Sequence, residues 1–194
     1  MEFKEFKKEI LSRAEKSNAC DNELNKAKNA QNFKELIKVI TDNFYYSCNY
    51  KIIDVKLLEK VGRDICNDSN LYFNCDCGNG YLLAENCNVE IINSTATLWG
   101  NSIATLLENS TSTLLENSTA TLRGNSTATL WENSKATLWE NSTAELRGNS
   151  KAELFGNSKA TLRGNSKATL WENSKAKILE NSKDKIKENS KEDI

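Results

Sequence analysis

From about Asn93 onward, small or leucine side chains alternate with polar ones in a unit that repeats every eight residues. Asn-Ser returns at each eighth position from Asn93 to Asn189 without a slip, and a fixed period over so many units outweighs local propensity. Counting Asn as slot one, slot two is Ser. Slot three is Thr early and Lys late, with Ile103 the exception, and slot four is Ala or Ser as far as Ala176. Slot five is Thr or Glu until Lys177, and slot six is Leu from Leu98 to Leu170 and Ile afterwards. Slot seven is Trp, Leu, Arg or Phe, and slot eight is Gly or Glu.

Slots four and six share a parity, so on a strand they point to one side, while slots three, five and seven point to the other. Only small and aliphatic side chains fill the first set, which predicts a dry core of stacked Ala and Leu. A helix turns every 3.6 residues and would spiral the leucines around its surface, so the pattern predicts a β-solenoid (β-helix) and not a helical array. The Gly-Asn-Ser or Glu-Asn-Ser segment is the expected corner. Asn tolerates left-handed backbone and bonds neighbouring backbone, so stacked corners predict a ladder of Asn amides.

Two octads per coil give a flattened solenoid, and three give a triangular one. Two are preferred, because Ala and Leu are too small to fill a triangular interior at native density. In that arrangement Trp139, Phe155 and Trp171 stack on one face and Trp99, Leu115 and Trp131 on the other. One octad buries about one Leu, far less than the ordering of eight residues costs, so the array is expected to fold only as a stack.

Before the repeat the period is helical. Phe3, Phe6, Ile10 and Ala14 share one face of a helix over 2–16, and Asn32 with Glu35 forms a capping box opening a helix with Leu36, Ile37, Ile40 and Phe44. Asp54 caps a further helix with Leu57, Leu58 and Val61, ended by Gly62. Short extended runs then follow at Leu71–Phe73, Tyr81–Leu83 and Val89–Ile92. The expected organisation is a helical head at 1–68, irregular first coils at 69–92, the solenoid at 93–182 and a polar cap or tail at 183–194, where Asp184 and Glu192 enter the core slot. The head is expected to cover the open sheet edge.

Composition narrows the chemistry. The chain has no His and a net charge of −1, so it lacks the commonest general base and carries no field that would drive it onto nucleic acid or membrane. The N-terminal stretch Met1–Lys8 reads as neither signal peptide nor membrane span, which makes the expected location the cytoplasm. The Asn-Ser-Thr triplets are then a by-product of the repeat. All six cysteines precede the regular octads. Buried free thiols are the expectation, with zinc on Cys66, Cys75, Cys77 and Cys87, or a disulfide, as alternatives. Cys87 stands where an octad would have Ser.

Slot seven supplies the outward column in which binding is expected: Trp99, Trp131, Trp139, Phe155 and Trp171, bordered by Lys159, Lys167 and Lys175 from slot three. Exposed aromatics cost solubility and are enriched at interaction hot spots, and such a strip suits an acidic protein surface or a nucleic-acid strand. Arg123, Arg147 and Arg163 each precede Gly and are candidates for phosphate or acidic protein. Thr95–Thr97, Thr111–Thr113 and Thr127–Thr129 would align as a Thr-x-Thr ladder, the surface some ice-binding solenoids use. No phosphate loop, nucleophile elbow or carboxylate pair stands out, so no cofactor and no enzymatic activity are expected.

The octads at Ala136–Thr143, with the stretch from Asn18 through Phe33–Leu36 to Leu57–Lys60, resemble uncharacterised octapeptide-repeat proteins of phages and prophage-bearing bacteria. The resemblance implies a helical head, a mobile-element origin and a role in blocking host machinery, an anti-CRISPR inhibitor among the options. The implied partner is a host protein or ribonucleoprotein complex in the bacterial cytoplasm. Direct nucleic-acid contact and homo-oligomer formation stay open, and membrane is not expected. A structural or self-assembling virion component is the alternative role.

Overall fold

The computed structural model describes residues 1–179. The head comprises α1 (Phe3–Lys16), α2 (Asp21–Asn29), α3 (Phe33–Asp42), α4 (Phe44–Asn49), α5 (Val55–Val61) and α6 (Arg63–Asn67). The first coils are β1 (Leu71–Phe73), β2 (Cys77–Gly78), β3 (Tyr81–Glu85) and β4 (Asn88–Ile92). The octads then give β5 (Thr95–Trp99), β6 (Ile103–Leu107), β7 (Thr111–Leu114), β8 (Thr119–Leu122), β9 (Thr127–Leu130) and β10 (Lys135–Leu138). They continue as β11 (Thr143–Leu146), β12 (Lys151–Leu154), β13 (Lys159–Leu162), β14 (Lys167–Leu170) and β15 (Lys175–Ile178). The cap expected at 183–194, with Asp184 and Glu192, lies outside the described residues.

Odd-numbered strands form one parallel sheet and even-numbered strands another, in chain order in each. Thr95 pairs with Thr111 and Thr111 with Thr127, and on the other sheet Lys135 pairs with Lys151. One coil is therefore two octads. The earlier coils are shorter: Leu71 pairs with Tyr81 and Tyr81 with Thr95. The protein is thus a parallel β-solenoid with a small helical head. Inside it, the Ala and Leu columns from both sheets meet in one core, and Leu98, Leu106, Leu122 and Leu138 have no exposed surface.

The corners differ from the expectation. The residue that takes left-handed backbone in the octads is slot eight, as at Glu108 (φ 59), Gly124 (φ 70), Glu140 (φ 60) and Gly156 (φ 67). Asn has that role only before the regular array, at Asn70, Asn74, Asn79, Asn86 and Asn93. Asn93 in fact stands in the slot-eight place, since Ile92 pairs with Leu107. The amide ladder is likewise almost absent. Among the described residues its one rung is Asn109 Nδ2 to Asn93 Oδ1, at 3.4 Å. The stacked polar column is the serine of slot two. Ser134 Oγ donates to the Trp131 carbonyl at 2.7 Å and Ser142 Oγ to the Trp139 carbonyl at 2.6 Å, and both side chains are fully buried. The reason is geometric: slot two points inward with slots four and six, where an unpaired hydroxyl would be costly and a local carbonyl satisfies it in the described octads, Ser158 apart.

In the head, Phe6, Ile10, Ala14, Leu36, Ile37, Ile40, Leu57 and Leu58 form one core, as their spacing predicts. The Asn32 cap forms, with Glu35 N–H donating to Asn32 Oδ1 at 3.0 Å, but the Glu35 carboxylate receives the Gln31 N–H at 2.7 Å, one residue earlier than in a capping box. Asp54 Oδ1 accepts the Leu57 N–H at 2.7 Å. Leu71, Phe73 and Leu83 belong to the head core, while Leu82 and Ala84 belong to the solenoid core. Strand alternation thus lets β3 serve both cores, and the head lies on the outer face of the odd sheet. At the edge strand β1, Arg63 Nη1 donates to the Phe73 carbonyl at 2.8 Å.

Candidate functional site

Slot seven ends each strand where the chain turns outward, and successive octads alternate between sheets. The odd corner therefore carries Trp99, Leu115, Trp131, Arg147 and Arg163, and the even corner Leu107, Arg123, Trp139, Phe155 and Trp171. At the even corner the three aromatics stack as expected. Trp139 and Phe155 have ring centroids 4.3 Å apart at an interplanar angle of 11°, and Phe155 and Trp171 are 5.8 Å apart at 4°. Trp139 is 38% exposed, the most open of the three. Phe155 lies between the two tryptophan rings, so bases cannot slide between members of the column, and the Nε1 edge of Trp171 is buried without a partner.

The other candidates are placed differently. Trp99 packs against the head core with Lys51 Nζ 4.8 Å over its ring, so it is no part of an outward stripe. Trp131 is covered by the Arg147 guanidinium, 4.5 Å above its ring. Glu145 Oε1 binds Arg147 Nη2 at 2.8 Å and Arg163 Nε at 2.9 Å, while Arg123 lies on the opposite corner. The three arginines do not form one basic cluster.

The lysines also divide. Lys159 and Lys175 pair across β13 and β15 on the odd sheet, where the chain arrives after the aromatic corner. Lys167 is on the even sheet, in a column with Lys151 and Lys135. The expected lysine border is therefore two separate columns, because neighbouring octads lie on opposite sheets. Lys135 and Lys151 were not singled out from the sequence, although the same two-octad spacing that aligned the aromatics would have found them. The Thr ladder does align on the odd sheet, with Thr111 Oγ1 accepting from Thr127 Oγ1 at 3.2 Å, and it gives way to Glu145 and Lys159 in later coils.

No protein family, curated protein or solved structure matches this chain.

The cysteines are six free thiols in different settings. Cys66 lies in the head core and Cys77 in the solenoid core, and no three His, Cys, Asp or Glu side chains are grouped to hold a metal among the described residues. Burial pushes the Cys48 thiol up to about 12, against a hydrogen bond with Thr97, and the Cys66 thiol up to about 11, against the Arg63 charge. Cys87 precedes Asn88, which pairs with Ile103, so it occupies the place of Ser102 in the serine column. The head also holds an apolar cavity of about 290 Å³, lined by Ile10, Leu24, Leu36 and Ile40. At its rim the Glu23 carboxylate is bound by Lys26 and Asn43. No helix among the described residues is long and apolar enough to cross a membrane.

Proposed function

We propose that this chain is a non-enzymatic binding protein whose even-corner aromatic column docks on a host macromolecule and blocks it. The observation that carries the reading is the stack of Trp139, Phe155 and Trp171 on a corner whose slot the fold leaves open to choice. The same slot takes Leu107 and Arg123 in the same corner and Arg147 in the opposite one, so stacking of the coils does not require an aromatic. Three consecutive rings on a rigid corner are the kind of anchor that dominates interface energetics. The resemblance to phage octapeptide-repeat proteins directs the proposal to host defence, with a cytoplasmic inhibitor of bacterial immunity, such as an anti-CRISPR protein, as the specific role.

The test is capture from a bacterial lysate with tagged protein, wild type against the triple variant W139T/F155T/W171T. Thr sits in neighbouring outward slots, so the variant should keep its circular dichroism and cooperative melting. The expected result is one stoichiometric host partner whose binding falls tenfold or more in the variant, about 1.4 kcal/mol. Undiminished capture by the variant would move recognition to the helical head, and self-assembly without any partner would support a structural component instead.

A further inference from the structure

We infer that the occupant of this corner is an acidic segment of a protein, gripped between the aromatic column and the lysine column of the same sheet. The inference rests on the docking reading above. Lys135, Lys151 and Lys167 are in register across β10, β12 and β14, and all three are exposed. Among the described residues none of them is in an ion pair. Lysines stacked on strands about 4.8 Å apart gather like charge in one column, and an anionic partner relieves the repulsion. Trp139, Phe155 and Trp171 close the same three rungs four residues later, roughly 13 Å along the strand at the usual rise.

Acidic groups near this face are few or already engaged. Glu153 stands between Lys151 and Phe155 as its one carboxylate in slot five. At the corner, Glu140 and Glu172 are folded onto the backbone N–H groups of Gly124 and Gly156, at 2.7 and 2.8 Å. The aromatic column decides between the two anionic polymers that lysines could hold. A single nucleic-acid strand adds base stacking on free ring faces to its phosphate contacts, and here the faces between the three rings are spent on each other. The outward ring edges carry the positive rim of the quadrupole, which suits carboxylates and aliphatic side chains. The structure therefore favours a protein segment rich in Asp and Glu with interspersed aliphatic residues.

The experiment is selection of a displayed random-peptide library on the immobilised full chain. Selected peptides are then measured against K135T/K151T/K167T and W139T/F155T/W171T, with random-sequence single-stranded DNA as a separate probe. Thr occupies the lysine slot at Thr119, so the first variant should fold normally. The expected outcome is a set of peptides enriched in Asp, Glu and aliphatic residues, whose binding falls tenfold or more with either variant. Peptides without an acidic excess, or DNA binding that exceeds peptide binding and depends on the lysines, would overturn the inference. Binding that is lost in the aromatic variant but kept in the lysine variant sinks this inference and leaves the docking reading standing. Binding that survives the aromatic variant sinks both.

Discussion

Glu140 Oε2 accepts the backbone N–H of Gly124, one coil earlier, at 2.7 Å, and Glu172 repeats the contact with Gly156 at 2.8 Å. Gly and Glu alternate along this corner as Glu108, Gly124, Glu140, Gly156 and Glu172, each with positive φ. The alternation has a physical basis. A Cβ on Gly124 would lie 2.9 Å from the Glu108 carbonyl oxygen, and the carboxylate of the following coil satisfies an N–H that the turn leaves exposed.

Gly124→Ala should therefore destabilise the array by about 1–2 kcal/mol, through the left-handed backbone and the close carbonyl together. Glu140→Ala should cost less, about 1 kcal/mol, because its bond is exposed to water. Urea unfolding of both variants checks the order, and equal costs would contradict it.

The serine column makes a sharper comparison. Ser134 is fully buried with its hydroxyl on the Trp131 carbonyl, whereas the neighbouring Asn133 is exposed. Ser134→Ala should cost about 1 kcal/mol and Asn133→Ala a few tenths. A larger loss for Asn133 would restore the amide ladder as the stabilising column.

Leu138 is fully buried and Thr137, one residue before it, faces outward. Leu138→Asp places an unpaired carboxylate in the dry core and should unfold or split the array. Thr137→Asp should shift the melting midpoint little. Similar midpoints for the two variants would contradict the strand alternation.

The buried thiols give a pH signature. Cys48 and Cys66 are raised from an ordinary value of 9.0 to about 12 and about 11, so the native chain holds protons that the unfolded chain releases. The sign is fixed by linkage. Stability is unaffected by these groups below pH 9.0 and falls as pH rises from there toward the folded values, by about 1 kcal/mol per pH unit for each thiol. Denaturant midpoints measured across that window should fall more steeply for wild type than for C48A/C66A.

Much of this structure was legible before folding, because a period of eight with strict parity leaves few options. Leu98 through Leu170 announced the core, and the small Ala column announced a coil too narrow for three octads. What parity could not reveal was which corner residue bends. Glu108 or Glu140 in a left-handed turn runs against local preference, and only the stacked coils make it tolerable. Trp99 was misplaced for a related reason, since its octad is regular and nothing in it marks the head that packs on top. In the head, α1, α3 and α5 showed apolar periodicity, whereas α4 and α6 have six and five residues, too short for a period to declare itself. Among the candidate residues, the aromatic stack followed from spacing alone. The division of the lysines also lay in the spacing, once alternate octads were assigned to alternate sheets.

The two-octad coil also governs how such a gene can change length. Loss or gain of sixteen residues, one coil by the pairing of Thr111 with Thr127, shortens or extends the rod by one step of about 4.8 Å and leaves every remaining side chain on its own face. Loss of a single octad does something else. Removing residues 141–148 would carry Phe155 and Trp171 to the opposite corner from Trp139, exchanging the faces of the later described octads while keeping the core intact. Replication slippage in this repeat thus has two distinct products, a ruler of new length and a chimera with its surfaces swapped, and only the first preserves a binding face.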